Sequence, residues 1–300
     1  MTIKNIINEF KKRAELSVSG TASVEYVSSG LDYSNNKSSL TMGNAVTFSG
    51  SGELDNGMTI STLYVLDESG ADSTSNSVSI ASGDLTLTFG GIKPMIGQTI
   101  DAVDTAFNGS ATSGTQERVL NGLGTSQISG AHSNTGNVGL MYTPKNKGYV
   151  AGITTNTIDA NNSGQHSVSM GGIFTGVDGL TVAVGYATNA DAQTAGDEWM
   201  YGATYAMGAI TVGYMAADTG DDSTGDIEAY GISYAVNPDL SVSYAAADTS
   251  RTNNDQDWES YGVAYNMGGA TLNIGYENED SNGSSATDLE GYEVNLTFAF

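Results

Sequence analysis

Cysteine is absent from this 300-residue chain, so neither a disulfide framework nor a thiolate metal site is available, and the redox compartment stays open. Basic residues are scarce. Ten Lys and Arg face 34 Asp and Glu, for a formal net charge of −24 at pH 7. So acidic a chain repels phosphates, which argues against a nucleic-acid partner. No run of 18 apolar residues occurs, so no transmembrane helix is encoded. That absence leaves a transmembrane barrel untouched, because its strands are marked only by about ten alternating residues each. Apolar residues make up 39% and charged ones 15%. What fills the gap is small and polar: Gly alone supplies 39 residues, beside abundant Ser, Thr, Asn and Ala, and Tyr supplies 16. This is the profile of β-structure with many tight turns. The regular placement of Tyr, Val, Ile and Leu separates it from a disordered Ser/Gly chain.

The last ten residues set the pattern. Tyr292, Val294, Leu296, Phe298 and Phe300 alternate with Gly291, Glu293, Asn295, Thr297 and Ala299. Successive strand side chains point to opposite faces, so this is a strand with one apolar and one polar face. Either another sheet or lipid must cover the apolar one. Residues 1–14 differ from everything after them. Ile3, Ile6, Ile7 and Phe10 recur at helical spacing among Lys4, Lys11, Lys12 and Arg13. A short amphipathic helix on a membrane surface and a replaced leader, misplaced start or loose tail are both open readings. No continuous apolar stretch with a small-residue cleavage site marks a secretory signal.

From Glu15 the alternation is nearly continuous. Five strands are expected before residue 92, centred on Val18–Val24, Val46–Phe48, Ile60–Leu66, Val78–Ile80 and Leu85–Phe89. The turn Asp55-Asn56-Gly57 is a strong hairpin signal, and Ser82-Gly83-Asp84 is another turn. Residues 92–135 lack sustained alternation and form a connection far longer than ordinary loops, with a helical turn or two expected within 100–107. Eleven further strands follow, the last at 291–300, for about sixteen in all. Short turns at 176–179, 207–208, 237–239 and 267–269 alternate with longer acidic connections such as 218–226, 247–256 and 279–288. Short turns at one end and long loops at the other, with Tyr142, Tyr149, Tyr186, Tyr201, Tyr265 and Tyr292 near strand ends, fit an up-and-down barrel across a membrane.

These residues also carry a resemblance. The stretches S-G-S-G-E-L-D-N-G-M from Ser49, Y-A-M-G-A-I-T-V-G-Y from Tyr205, A-Y-G-I-S-Y-A-V-N-P-D-L-S-V-S-Y from Ala229 and the terminal F-A-F are similar to Gram-negative general diffusion porins, closest to the alphaproteobacterial type. The resemblance covers residues 15–300. It implies an all-β fold, a closed antiparallel transmembrane barrel of sixteen strands in the outer membrane. It further implies a homotrimer with both termini on the periplasmic side, a long third loop folded into the lumen where 92–135 stands, and Phe300 as an assembly signal. Lipopolysaccharide and outer-membrane lipid would be its surroundings, and ions and small hydrophilic solutes its cargo.

Strand parity places Glu25, Glu53, Glu277 and Glu293 on the polar face, with Glu25, Glu277 and Glu293 on neighbouring strands once the last pairs with the first. In porins of this type the third loop sets acids against a basic wall. Asp101, Asp104 and Glu117 fit the acidic side, and Arg118 joins them in the expected constriction. The basic wall is missing: beyond the N-terminal segment only Lys37, Lys93, Arg118, Lys145, Lys147 and Arg251 remain, none in an expected strand. A mildly cation-preferring channel is the expectation.

Enzyme chemistry finds no footing. His132 and His166 are the only histidines, no G-x-S-x-G elbow stands in a strand–turn–helix context, and no phosphate loop is present. No cofactor or metal ligand set is expected. Asp218, Asp221, Asp222 and Asp226, or Asp280 and Asp288, match no calcium motif and read as a solvated rim, with divalent bridging to lipopolysaccharide as a further reading. The competing class is a secreted or surface-layer β-rich adhesion or structural protein, which would need two sheets burying each other.

Overall fold

The computed structural model describes residues 14–31, 38–67, 76–108, 137–156, 168–188, 197–218, 220, 225–250, 255–282 and 288–300. Five strands come first: β1 (Ala14–Val27), β2 (Ser39–Glu53), β3 (Thr59–Asp67), β4 (Ser77–Ser82) and β5 (Leu85–Gly90). A helix, α1 (Met95–Asn108), follows. Then come β6 (Asn137–Tyr142), β7 (Tyr149–Asn156), β8 (Val168–Val177), β9 (Leu180–Ala187), β10 (Glu198–Met207) and β11 (Ile210–Asp218). The chain ends with β12 (Asp226–Asn237), β13 (Leu240–Ser250), β14 (Asp255–Asn266), β15 (Ala270–Asn282) and β16 (Leu289–Ala299). Residues 1–13 and 109–136, which include the expected amphipathic tail, Glu117 and Arg118, lie outside the described residues.

Each strand pairs antiparallel with its sequence neighbours, and β1 pairs with β16 to close one barrel. The seam runs in register from Thr21↔Ala299 to Val27↔Glu293. Two backbone bonds extend it: Gly20 N–H donates to Phe300 O at 2.7 Å and Phe300 N–H to Gly20 O at 3.0 Å. Closure pairs backbone groups that an open sheet would leave at its edges.

The two faces of this sheet follow from the sequence period. In β14, Gln256, Trp258, Ser260, Gly262 and Ala264 are buried, while Asp257, Glu259, Tyr261, Val263 and Tyr265 between them are exposed. The same division runs round the barrel, with Leu40, Tyr64, Phe89, Leu140, Val184, Tyr230 and Ile274 exposed on the apolar face. Among the described residues no second sheet covers it. So large an exposed apolar surface is not stable in water, and it removes the two-sheet adhesion reading.

From β9 to β16 the rim of this face carries aromatic–carboxylate pairs. Trp199 Nε1–H donates to Asp218 Oδ2 at 2.9 Å, Tyr214 OH to Glu228 Oε1 at 2.5 Å and Tyr244 OH to Glu259 Oε1 at 3.0 Å. Tyr186 donates to Asp197 and Tyr276 to Glu290 in the same way. At the short-turn end, Gly57 adopts φ 80°, as the Asn-Gly turn requires, and Leu54 N–H closes the turn onto Met58 O at 2.7 Å.

Helix α1 starts at Met95, earlier than the turn or two expected within 100–107. Ile96, Ile100 and Val103 share one side and are fully buried. It packs against six consecutive strands, β7 to β12, on their small-residue face.

Candidate functional site

The site is the small-residue face and what rests on it. Gly152, Gly171 and Gly185 are direct register partners across β7, β8 and β9, with Gly139 and Gly202 flanking them on β6 and β10. A Cβ on Gly185 would stand 2.5 Å from Thr99 Oγ1 and 2.9 Å from Ile96 Cγ1. At Gly171 it would stand 2.8 Å from Thr99 Cγ2, and at Gly202 2.9 Å from Val103 Cγ2. The glycines thus form a trough that lets the helix approach the strand backbones, as only a missing side chain allows. Ile96, Ile100 and Val103 fill it against Ala183, Ala187 and Met200.

The row above the trough supplies hydroxyls. Thr154 and Ser169 face each other across β7 and β8. Met95 N–H donates to Thr154 Oγ1 at 2.9 Å, and Ile96 N–H donates to Ser169 Oγ at 2.7 Å. These amides belong to the first helical turn and have no intrahelical acceptor, so the wall caps the helix from outside its own sequence. Parity alone could not reveal this, because nothing in the sequence links positions 95 and 154.

The helix's other side carries Gln98, Asp101 and Ala102, all half-buried. Lys93 Nζ binds Asp101 Oδ1 at 2.5 Å, and Gln98 Nε2–H donates to Lys93 O at 2.7 Å. Asp101 is therefore neutralised by a lysine on its own segment. The side chain of Asp104 lies outside the described residues.

The expected wall acids all lie on the small-residue face, in two environments. Glu25 is half-buried between Thr41 and Asn295 and accepts from Thr41 Oγ1 at 3.3 Å. Glu53 is exposed at the short-turn end of β2. Glu277 and Glu293 are diagonal neighbours, each opposite a glycine of the other's strand, Gly291 and Gly275. They are covered, however, at 0% and 2% exposure. Part of the cover comes from Ser28–Leu31, which turns over this face of β16. Leu31 clusters with Val27 and Leu289, and a Cβ on Gly291 would meet Leu31 Cγ at 2.8 Å. Glu279, which parity also places here, accepts from Gln256 Nε2–H at 2.5 Å and Ser281 Oγ–H at 2.7 Å. It is fully buried, as is Glu198 on β10.

Phe300 projects from the apolar face with its ring over Gly20. Of the acidic loops, Asp218 accepts from Gly220 N–H at 2.6 Å and Asp288 from Ser281 N–H at 3.1 Å, while Asp221 and Asp222 lie outside the described residues. Among the described residues no group of three or more His, Cys, Asp or Glu is arranged to hold a metal ion. Lys93, Lys145 and Lys147 are the described basic residues, and none lies on a strand.

A closed sixteen-stranded sheet, apolar on one face and small and polar on the other, defines an outer-membrane barrel of the passive-channel class. The chain matches the Gram-negative porin family over residues 13–284 and belongs to it. Among solved structures, two engineered mutants of the porin of Rhodopseudomonas blastica each align at TM-score 0.66 with 18% identity, over 96% of this chain and 100% of theirs. A third mutant aligns at TM-score 0.65 with 16% identity over the same shares. At such identity the likeness to this alphaproteobacterial porin is one of fold. No curated protein matches the sequence.

Proposed function

We propose that this porin passes ions and small hydrophilic solutes, that the connection 92–135 lies in its lumen and narrows it, and that it mildly prefers cations. The observation that carries the reading is the seating of α1. A straight helix of about 21 Å can touch six consecutive strands of a closed barrel only from the concave side. Glu25, half-buried, and Glu53, exposed, place carboxylates on that face, where Glu277 and Glu293 are covered, and no described strand carries a cation. Field lines confined by low-dielectric walls enrich counter-ions. The test is planar-bilayer recording of the detergent-purified protein. Defined conductance steps are expected, larger after deletion of residues 97–114. A folded protein without steps would sink the channel, and unchanged conductance in a folded deletion variant would sink the constriction.

The assembly we propose is a homotrimer joined through β2–β5. Leu40, Met42, Ile60, Val78, Leu85 and Phe89 are exposed there, while the aromatic–carboxylate pairs run from β9 to β16. β4 and β5 have only six residues each, short for a tilted span of the apolar band. A wall that loses height at β4 and β5 and carries none of those aromatic–carboxylate pairs fits another protomer better than lipid. The belted side would face lipopolysaccharide, with divalent ions between its carboxylates and the lipid phosphates. Cross-linking through a cysteine at Val78 should yield covalent dimers in membranes, whereas one at Tyr230 should not.

A further inference from the structure

One wall of the small-residue face differs from the rest. Across β1 to β5 a single register row reads Glu15, Ser51, Ser61, Ser79 and Thr88. The adjoining row brings Ser17 opposite Ser49, their Oγ atoms 2.5 Å apart, and Ser79 Oγ lies 2.8 Å from Thr88 Oγ1. These rows line an open groove of about 650 Å³, in which Glu15, at the edge, is the one charged lining residue. That volume falls within the range of small-molecule sites. The charges described on the helical segment across the barrel are Asp101 on α1 and Lys93 just before it, bound to each other. Among the described residues, neither side of this passage presents a cation and an anion held apart.

We propose that this hydroxyl row is the solute-selecting wall of the channel and that it favours uncharged polyhydroxylated solutes, aldoses and polyols, over zwitterions of the same size. The inference rests on the channel reading above. Each serine or threonine hydroxyl both donates and accepts, as sugar hydroxyls do. A sugar moving along the row exchanges bonds to water for equivalent bonds to the wall, with little net change. A zwitterion brings an ammonium and a carboxylate whose lost hydration needs two opposite charges to replace it. Beyond Glu15 at its edge the row offers hydroxyls and no cation, so the zwitterion meets a barrier that the sugar does not.

The experiment is swelling of liposomes containing the full-length protein, in isotonic L-arabinose or in L-glutamine, a zwitterion of nearly equal mass. Arabinose is expected to enter about threefold faster or more, beyond what size allows. Ser51→Lys with Ser61→Lys places cations beside Glu15 and should bring the ratio toward one by admitting glutamine. Ser51→Val with Ser61→Val and Ser79→Val should lower it by slowing arabinose. If the triple variant does not assemble, Ser61→Ala alone should still lower arabinose entry measurably. Equal rates in the parent, or a ratio that none of the assembled variants moves, overturns the proposal while leaving the channel intact. No swelling with either solute overturns the channel reading, and this inference with it.

Discussion

Gly171 and Gly172, neighbours in β8, give one added methyl group two different receptions. At Gly171 it would press on Val184 O at 2.7 Å and Thr99 Cγ2 at 2.8 Å, whereas at Gly172 its nearest contact is Val150 O at 3.5 Å. Gly171→Ala should therefore cost about 1–3 kcal/mol through overpacking, and Gly172→Ala almost nothing. The temperature at which the folded form loses its anomalous SDS mobility checks this. Equal shifts for the two would refute the trough. Thr154 and Ser169 permit a sharper test, since each caps one buried helix amide. Thr154→Val or Ser169→Ala leaves that amide without its acceptor, costing about 1–3 kcal/mol. Hydrogen exchange at Met95 and Ile96 should accelerate while that of β12–β15 stays slow. Acceleration spread over all strands would mean that the hydroxyls hold the barrel rather than the helix.

At the scale of elements, the seam between β1 and β16 depends on the final residue. Phe300 makes two backbone bonds to Gly20, and its ring occupies the space where a Cβ of residue 20 would stand. Deleting Phe300 should sharply lower the amount of folded protein in outer membranes. Gly20→Val, which keeps the terminal aromatic but displaces its ring, should lower it less. Normal yield of the deletion, by heat-modifiable band intensity, would refute a role in assembly.

The strands themselves were legible in the sequence because a period of two needs only local residues, and Asn56-Gly57 announced its turn for the same reason. The helix was legible only in part. Gly97 weakens its first turn, and the acceptors that stabilise that turn, Thr154 and Ser169, come from strands more than fifty residues away. Parity put Glu277 and Glu293 on the right face but could not foresee Leu31 turning over Gly291. The glycine trough was illegible too, since a glycine in a strand reads the same whether a helix or water lies above it.

At the scale of the whole molecule, the net charge of −24 does not by itself make a selective pore, because charge acts on passing ions only within about 8–10 Å at physiological salt. Position decides. Glu25 is half-buried on the small-residue face and close to any ion passing β1, whereas Glu277 and Glu293 are covered. Asp101 is held by Lys93, so that pair adds little net field. Reversal potentials under a KCl gradient should thus show a modest preference for potassium that weakens as salt rises. Glu25→Gln should reduce it more than Glu277→Gln or Glu293→Gln, whose main effect should be on stability because they alter packed, buried groups. Asp101→Asn should also reduce it, by leaving the Lys93 charge uncompensated beside the passage. A parent that favours chloride would end the argument. A parent whose preference survives Glu25→Gln but falls with Glu277→Gln and Glu293→Gln would mean that ions reach the covered acids, and the pore would then run along β15 and β16.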